Sequence, residues 1–209
     1  MIRKGIRGIK QRYECKNCGK YQQDIYTYQR YDSKDDNQIK LLNAEGVGIR
    51  SMGRILGYSK RTILRRTLYL GSKVVKPAYL EYNQVYEVDE MWTFVGRKQP
   101  SRFSWITYAM NLKTNEIIDV AFGSRSKKNL KQVIDSVKAQ NPKKIVTDKL
   151  NTYPNLVKPN NHIERGNLTL RTYLKRLFRK TICFSRSQKT LEACVLLYFD
   201  FYKWRLKVK

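Results

Sequence analysis

The spacing of apolar positions changes character along the chain, and each change predicts a different kind of element. Residues 1–31 mix basic residues with tyrosines (Tyr13, Tyr21, Tyr26, Tyr28, Tyr31) and predict short strands. Residues 32–37 are polar and predict a loop that caps a helix. From Gln38 to Leu70 the pattern is helical. Ile39, Leu41 and Leu42 sit on a short helix broken by Gly46 and Gly48. Ile49, Met52, Ile55 and Leu56 make a second, closed by Gly57. Ser59 caps a third that carries Ile63, Leu64 and Leu68 inward. Residues 71–84, with Gly71 and Pro77, read as a linker. A β pattern then starts at Val85 and runs to Gly96 through β-branched and aromatic residues. Phe103–Met110 and Ile117–Phe122 predict two further strands. Leu130, Val133, Ile134 and Val137, at i, i+3, i+4 and i+7, predict an amphipathic helix. Lys143–Thr147 is a fourth strand, and Gln188–Trp204 a final helix with Leu191, Cys194, Val195, Tyr198 and Tyr202 on one stripe.

Three hairpin-like strands, a helix and a strand ending in an acid describe an α/β, RNase H-like domain with a mixed sheet flanked by helices. The expected organisation is a partial zinc-ribbon-like segment (1–34), a small helix-turn-helix domain (35–71), a linker (72–84) and the RNase H-like domain (85–209). Alternation in the first long strand puts Glu90 among the aromatics Trp92 and Phe94, where a lone carboxylate is costly. Asp89 takes the more polar face and is the better candidate for chemistry. Asp148 comes directly after the fourth strand, where open α/β sheets place ligand-binding groups. Glu164 and Arg171, two helical turns apart in Ile163–Arg171, project from nearly one face of a helix. Taken alone, that pair reads equally as a surface ion pair.

Charge narrows the partner. The 43 Lys and Arg against 17 Asp and Glu leave +26. Before residue 84 there are 18 basic and 7 acidic residues, and after it 25 and 10, so the excess covers the whole chain. That favours nucleic acid over a membrane, since no interfacial basic amphipathic helix stands out and no apolar run reaches spanning length. The N-terminus has no apolar signal core, so a cytoplasmic, nucleoid-associated location is expected. On the third helix Lys60, Arg61, Thr62, Arg65 and Arg66 point outward, placed to enter a major groove. A plain helical subdomain with a solvated basic face is the competing reading.

Four cysteines do not build a disulfide framework. Cys15-Lys16-Asn17-Cys18-Gly19 is one zinc knuckle, half of a four-ligand site, and reads either as a metal-free remnant or as zinc shared across a dimer. Cys183 and Cys194 are expected to be buried. The only histidine, His162, is far from the knuckle in sequence.

The segments Val88–Gly96 (VDEMWTFVG), Thr147-Asp148 with Tyr153-Pro154, and Ile163-Glu164-Arg165 with Asn167–Arg171 (NLTLR) resemble the insertion sequence one family of DDE transposases, as do Leu177–Lys180 and Phe184–Ser187. The resemblance covers almost the whole chain and rests on the order and spacing of these motifs. It implies that Asp89, Asp148 and Glu164 are a catalytic triad holding two Mg²⁺ (or Mn²⁺) ions, with Asp89 bridging them. It also implies that Arg171 contacts a phosphate of the element's terminal DNA. Lys175 extends the same basic track. Two metal ions activate the attacking oxygen and stabilise the leaving one, which is why hard carboxylate ligands are needed. The implied partners are terminal-repeat and target DNA and further copies of the chain, since transposases pair DNA ends as multimers.

The chain departs from the family pattern in three places. It has one Cys-x-x-Cys pair instead of two. The interval from Asp148 to Glu164 is short, and Gly166 stands where a His is common. The expected activity is Mg²⁺-dependent cutting of element ends and joining of the 3′-hydroxyl to target DNA. A decayed copy acting only as a DNA-binding repressor is the alternative; an RNase H-type nuclease leaves the helix-turn-helix without a role.

Overall fold

The computed structural model describes residues 1–25, 31–76, 82–147, 162–178 and 183–204, the side chains of 162–164 and 203–204 excepted. Two units result, Met1–Asp32 and Ser33–Lys209.

The first unit is a three-stranded antiparallel sheet of β1 (Ile2–Arg7), β2 (Lys10–Glu14) and β3 (Tyr21–Gln23), in that order. Cys15 and Cys18 form the turn between β2 and β3. The Gly19 amide donates to the Cys15 carbonyl at 2.9 Å, and Gly19 takes φ +65°, which a side chain would resist. Tyr26 and Tyr28 lie outside the described residues.

The second unit starts with three helices, α1 (Asp36–Ala44), α2 (Ile49–Leu56) and α3 (Lys60–Ser72). The polar stretch 32–37 is shorter as a loop than expected, because a 3-10 turn over Ser33–Asp35 leads directly into α1. Asp35, at the N-cap of α1, makes no side-chain cap. Asp35 instead accepts from the Tyr58 hydroxyl (2.5 Å), and Asp36 pairs with Arg66 of α3. Gly57, at φ +72°, ends α2 in a left-handed turn, and Ser59 caps α3 by accepting from the Thr62 amide at 3.1 Å. Gly53 is needed at the crossing, since a Cβ there would stand 2.8 Å from the Tyr58 carbonyl oxygen. Ile63 is buried as expected, while Leu64 and Leu68 are only partly so and Thr67 takes the inward place between them.

Next in the chain is a four-stranded mixed sheet, ordered β6-β5-β4-β7. β4 (Val85–Phe94), β5 (Phe103–Asn111) and β6 (Ile117–Gly123) form an antiparallel meander, and β7 (Lys144–Thr147) lies parallel to β4 on its other edge. The parallel crossover passes through α4 (Lys127–Lys138), whose Leu130, Val133 and Val137 are buried against Tyr86, Val88, Ala109 and Ile118. The opposite face carries Met91, Ile106, Tyr108 and Met110 against α5 (His162–Tyr173) and α6 (Gln188–Phe199). An α/β domain with a mixed sheet flanked by helices is thus the architecture.

The apolar stripe expected on α6 proves too narrow. Leu191, Cys194, Val195 and Tyr198 are buried, but so are Ala193, Leu197 and Phe199, because α6 is covered on two sides. One side meets the sheet. The other meets α1 and α3: the Asn43 carboxamide donates to the Cys194 carbonyl (2.9 Å), Lys40 pairs with Asp200 (2.9 Å), and Gly71 comes so close that a Cβ would stand 2.6 Å from the Ala193 Cα. Among the described residues no helix is long and apolar enough to cross a membrane.

Candidate active site around Asp89

Strand geometry sets the site. Successive side chains on β4 point to opposite faces, so Glu87, Asp89 and Met91 face α5 and α6. Asp89 sits opposite Tyr108 in the antiparallel register, and Glu87 opposite Met110. The β7 register ends with Thr147 beside Val88, one residue before Asp89. Asp148 itself lies outside the described residues. α5 meets β4 at Asp89 through Asn167 and carries Glu164 in its first turn.

The Asp89 carboxylate is half-buried and held by neutral donors. Oδ1 accepts from the Glu90 amide at 2.7 Å, and Oδ2 accepts from the Asn167 carboxamide nitrogen at 2.5 Å. A carboxylate only accepts, so Asn167 must turn its NH₂ toward Asp89 and its carbonyl away. The Tyr108 hydroxyl, donating to Asn167 Oδ1 at 2.9 Å, fixes that orientation. Burial pushes the Tyr108 phenol well above its ordinary range, the negative fields of Asp89 and Glu87 add to that, and Arg171 opposes it. The phenol therefore stays a proton-bearing donor. Gly166 permits the close passage of α5, since a Cβ there would stand 3.3 Å from the Tyr108 hydroxyl.

Neither Asn167 nor Tyr108 is singled out by the sequence pattern. Asn167 carries a signal, because it stands at i+3 from Glu164 and i−4 from Arg171. Tyr108 carries none, since only cross-strand register brings it opposite Asp89. Glu87, almost fully buried on the same face, is a second acid beside the site.

Glu90 behaves differently. It occupies the α4 face beside the aromatics, as alternation implies, but it is not alone. The Arg125 Nε donates to it at 2.6 Å, and the Arg125 guanidinium also lies 4.6 Å from the Trp105 ring centre.

The basic candidates divide. Lys60, Arg61 and Arg65 are exposed on α3, and Lys175 is exposed in the 3-10 turn after α5. Thr62 is taken up in the α3 cap, its hydroxyl 2.8 Å from that of Ser59. Arg66 is held by Asp36 and lies over the Tyr69 ring. Arg171 is half-buried. The expected burial of both later cysteines holds for Cys194 only. Cys183 is exposed, two residues before Ser185 joins Val95 at the sheet edge.

Around the Cys15–Cys18 turn, the amides of Cys18 and Asn17 and the Cys18 thiol lower the Cys15 pKa and favour its thiolate. Among the described residues no cluster of three or more metal-ligating side chains forms.

The donor chemistry at Asp89 suits a divalent ion of the hard class. Its carboxylate oxygens are held by hydrogen bonds from an amide and a carboxamide, which leave its charge in place for a cation.

Residues 84–205 match the family of IS1 transposases, more than half of the chain. The chain belongs to the IS1 transposase family. The insertion element iso-IS1n protein InsB of Shigella dysenteriae is 38% identical over 125 residues, covering 56% of this chain and 94% of that protein. The insertion element IS1 protein InsB of Shigella flexneri is 34% identical over 110 residues, covering 48% and 82%. An IS1 protein InsB of Escherichia coli K12 is 33% identical over 110 residues, covering 48% and 65%. The site around Asp89 lies within the matched region, and membership of this family makes the chain an insertion-sequence transposase, a DNA-cutting and DNA-joining enzyme.

Proposed function

We propose that this transposase cuts the ends of its element and joins the freed 3′-hydroxyl to target DNA, using Asp89, Asp148 and Glu164 to hold Mg²⁺ or Mn²⁺. The observation that carries the reading is Asp89, midway along β4, whose carboxylate is held by neutral donors and, among the described residues, forms no ion pair, with Asn167 of α5 against it. Bound there, divalent metal would activate the attacking oxygen and stabilise the leaving one.

The chain's own residues supply position and charge. Asn167 and Tyr108 hold the Asp89 carboxylate in one orientation. Arg171, one helical turn after Asn167 on α5, meets the phosphate of the DNA end with its planar fork. In the first step water attacks phosphorus, the bond to the 3′-oxygen breaks, and that oxygen takes up a proton. In the second, the resulting 3′-hydroxyl attacks a target phosphodiester and displaces its 3′-oxygen in turn. Lys60, Arg61 and Arg65 give α3 the character of a groove-reading helix in a helix-turn-helix, and the 85–209 segment acts as an RNase H-like catalytic domain. Two copies would bring two DNA ends together, and Cys15 and Cys18 from each could complete one zinc site.

The test is cleavage and strand transfer by the purified chain on labelled duplexes carrying the element's ends, with and without Mg²⁺. Asp89→Asn is expected to lower both by about 10³-fold or more while leaving DNA binding intact. Activity that survives Asp89→Asn removes the triad assignment. Salt-sensitive binding with no cleavage in any metal would instead make the chain a DNA-binding repressor.

A further inference from the structure

Beyond the Asp89 site, the far end of β4 carries a cleft of about 640 Å³ lined by Gly96, Arg97, Gln99, Arg102, Phe184 and Arg186. We propose that this cleft binds the phosphate backbone of the duplex whose strand is cut at Asp89, about five base pairs from the cut.

The cleft is built by the fold. The Val95 amide donates to the Arg102 carbonyl (2.9 Å), closing the turn that presents Arg97 and Arg102. The Gly96 amide donates to the Ser185 carbonyl (2.8 Å), which brings the segment carrying Arg186 alongside. Arg176 donates to the Ser185 hydroxyl (3.1 Å), and Phe94 packs on Phe184 with ring centres 5.3 Å apart. Gly96 turns at φ +78°, and a Cβ there would reach the Arg186 carbonyl. Three guanidinium-bearing residues therefore converge on one opening from two separate segments.

Their charge is uncancelled. The described ion pairs all use other cations, and Arg97, Arg102 and Arg186 are exposed. Three unneutralised guanidinium groups around one opening repel each other unless an anion enters, and their flat forks suit phosphate oxygens.

The cleft also continues the active-site track. Three points after the start of α5 meet β4 in order along the strand: Asn167 contacts Asp89, the Arg176 carbonyl accepts from Thr93, and Ser185 bridges Val95. Asp89 and Phe94 are five strand positions apart, roughly 17 Å at about 3.3 Å per residue. That is about five base pairs of duplex at about 3.4 Å each. The proposal of a duplex as occupant rests on the transposase reading.

The experiment measures salt-dependent binding of a fluorescein-labelled random-sequence duplex by anisotropy. It compares the wild-type chain, Arg97→Gln/Arg102→Gln/Arg186→Gln, and a control triple at exposed lysines elsewhere, Lys113→Gln/Lys127→Gln/Lys138→Gln. Each lost phosphate contact lowers the slope of log affinity against log salt by about 0.9, so the arginine triple is expected to lower it by about two to three, and the control by much less. Thermal melting checks that the variants fold. If the triple fails to fold, Arg102→Gln and Arg186→Gln singly should each remove about one unit of slope. An unchanged slope, or an equal fall in the control, overturns the proposal. So does inorganic pyrophosphate binding that is lost in the arginine variants while their DNA slope stays intact, which would make this a small-phosphate site. The slope is read without metal and without cleavage, so a failure of the catalytic reading is seen separately, in the cleavage assay.

Discussion

Asp89 and Glu90, on opposite faces of the sheet, are held in opposite ways. On the α4 face Glu90 is neutralised by Arg125, and Asp119 by Lys76 with Ser136 donating to its second oxygen at 2.6 Å. On the α5 face Asp89, the neighbour of Glu90 along the strand, is held by an amide, a carboxamide and, behind them, a phenol. Burial alone does not separate the two kinds, since both faces hold acids shielded from water. The partner's charge does. An acid neutralised by a cation is finished as a structural element, whereas one held by neutral dipoles keeps a field that can attract another ion.

Exchanging the supports tests this contrast. Asn167→Leu should cost about 10- to 100-fold in DNA cleavage, the usual range for losing a group that orients a metal ligand, with DNA affinity unchanged. An equal loss of DNA affinity would show that Asn167 acts on the duplex instead. Tyr108→Phe should cost less, about threefold to tenfold. It removes the donor that fixes Asn167 and is expected to lower stability by about 1 kcal/mol, read from urea unfolding. Glu90→Gln should leave cleavage near wild type. It should destabilise by about 1 kcal/mol, discounted from the cost of a fully buried pair because the Arg125 side chain is 44% exposed and can return to water. Cleavage that falls more with Glu90→Gln than with Asn167→Leu would reverse the contrast.

The smallest effect is on pH. Burial raises Tyr198 to about 12, and a hydrogen bond to Glu45 raises Tyr202 to about 12; Tyr108 is also raised. A folded pKa above the unfolded value means that the native chain holds its proton longer. The contribution is then complete below about pH 10 and fades as pH rises from there toward 12. Urea midpoints should fall over that window, and Tyr202→Phe should flatten part of the fall.

Much of the sheet was legible because its pattern is locally decided. β4, β5 and β6 begin where β-branched and aromatic residues begin, and α4 shows its i, i+3, i+4, i+7 spacing openly. The candidate site was legible only in part. Asp89 was favoured over Glu90 by alternation, and the rescue of Glu90 by Arg125 comes from 35 residues away. The Asn167–Tyr108 support joins a helix to a strand 59 positions earlier. No periodicity carries that information. The second covered side of α6 was missed for the same reason: Gly71 and Asn43 look like an ordinary helix end and a polar surface residue until α6 is laid against them. Arg66 likewise reads as an outward cation until Asp36 is found beside it.

The close approach of Gly71 to Ala193 has a mechanical consequence. Because α3 rests directly on α6, and α6 also forms a wall of the sheet, the reach from the third helix to Asp89 is set by one shared strut. The number of residues joining the two parts of the chain does not set it. Lengthening that joint by a few glycines should therefore leave the spacing between α3 and Asp89 unchanged. A bulkier residue at position 71 should alter it, acting as a wedge under one end of a ruler.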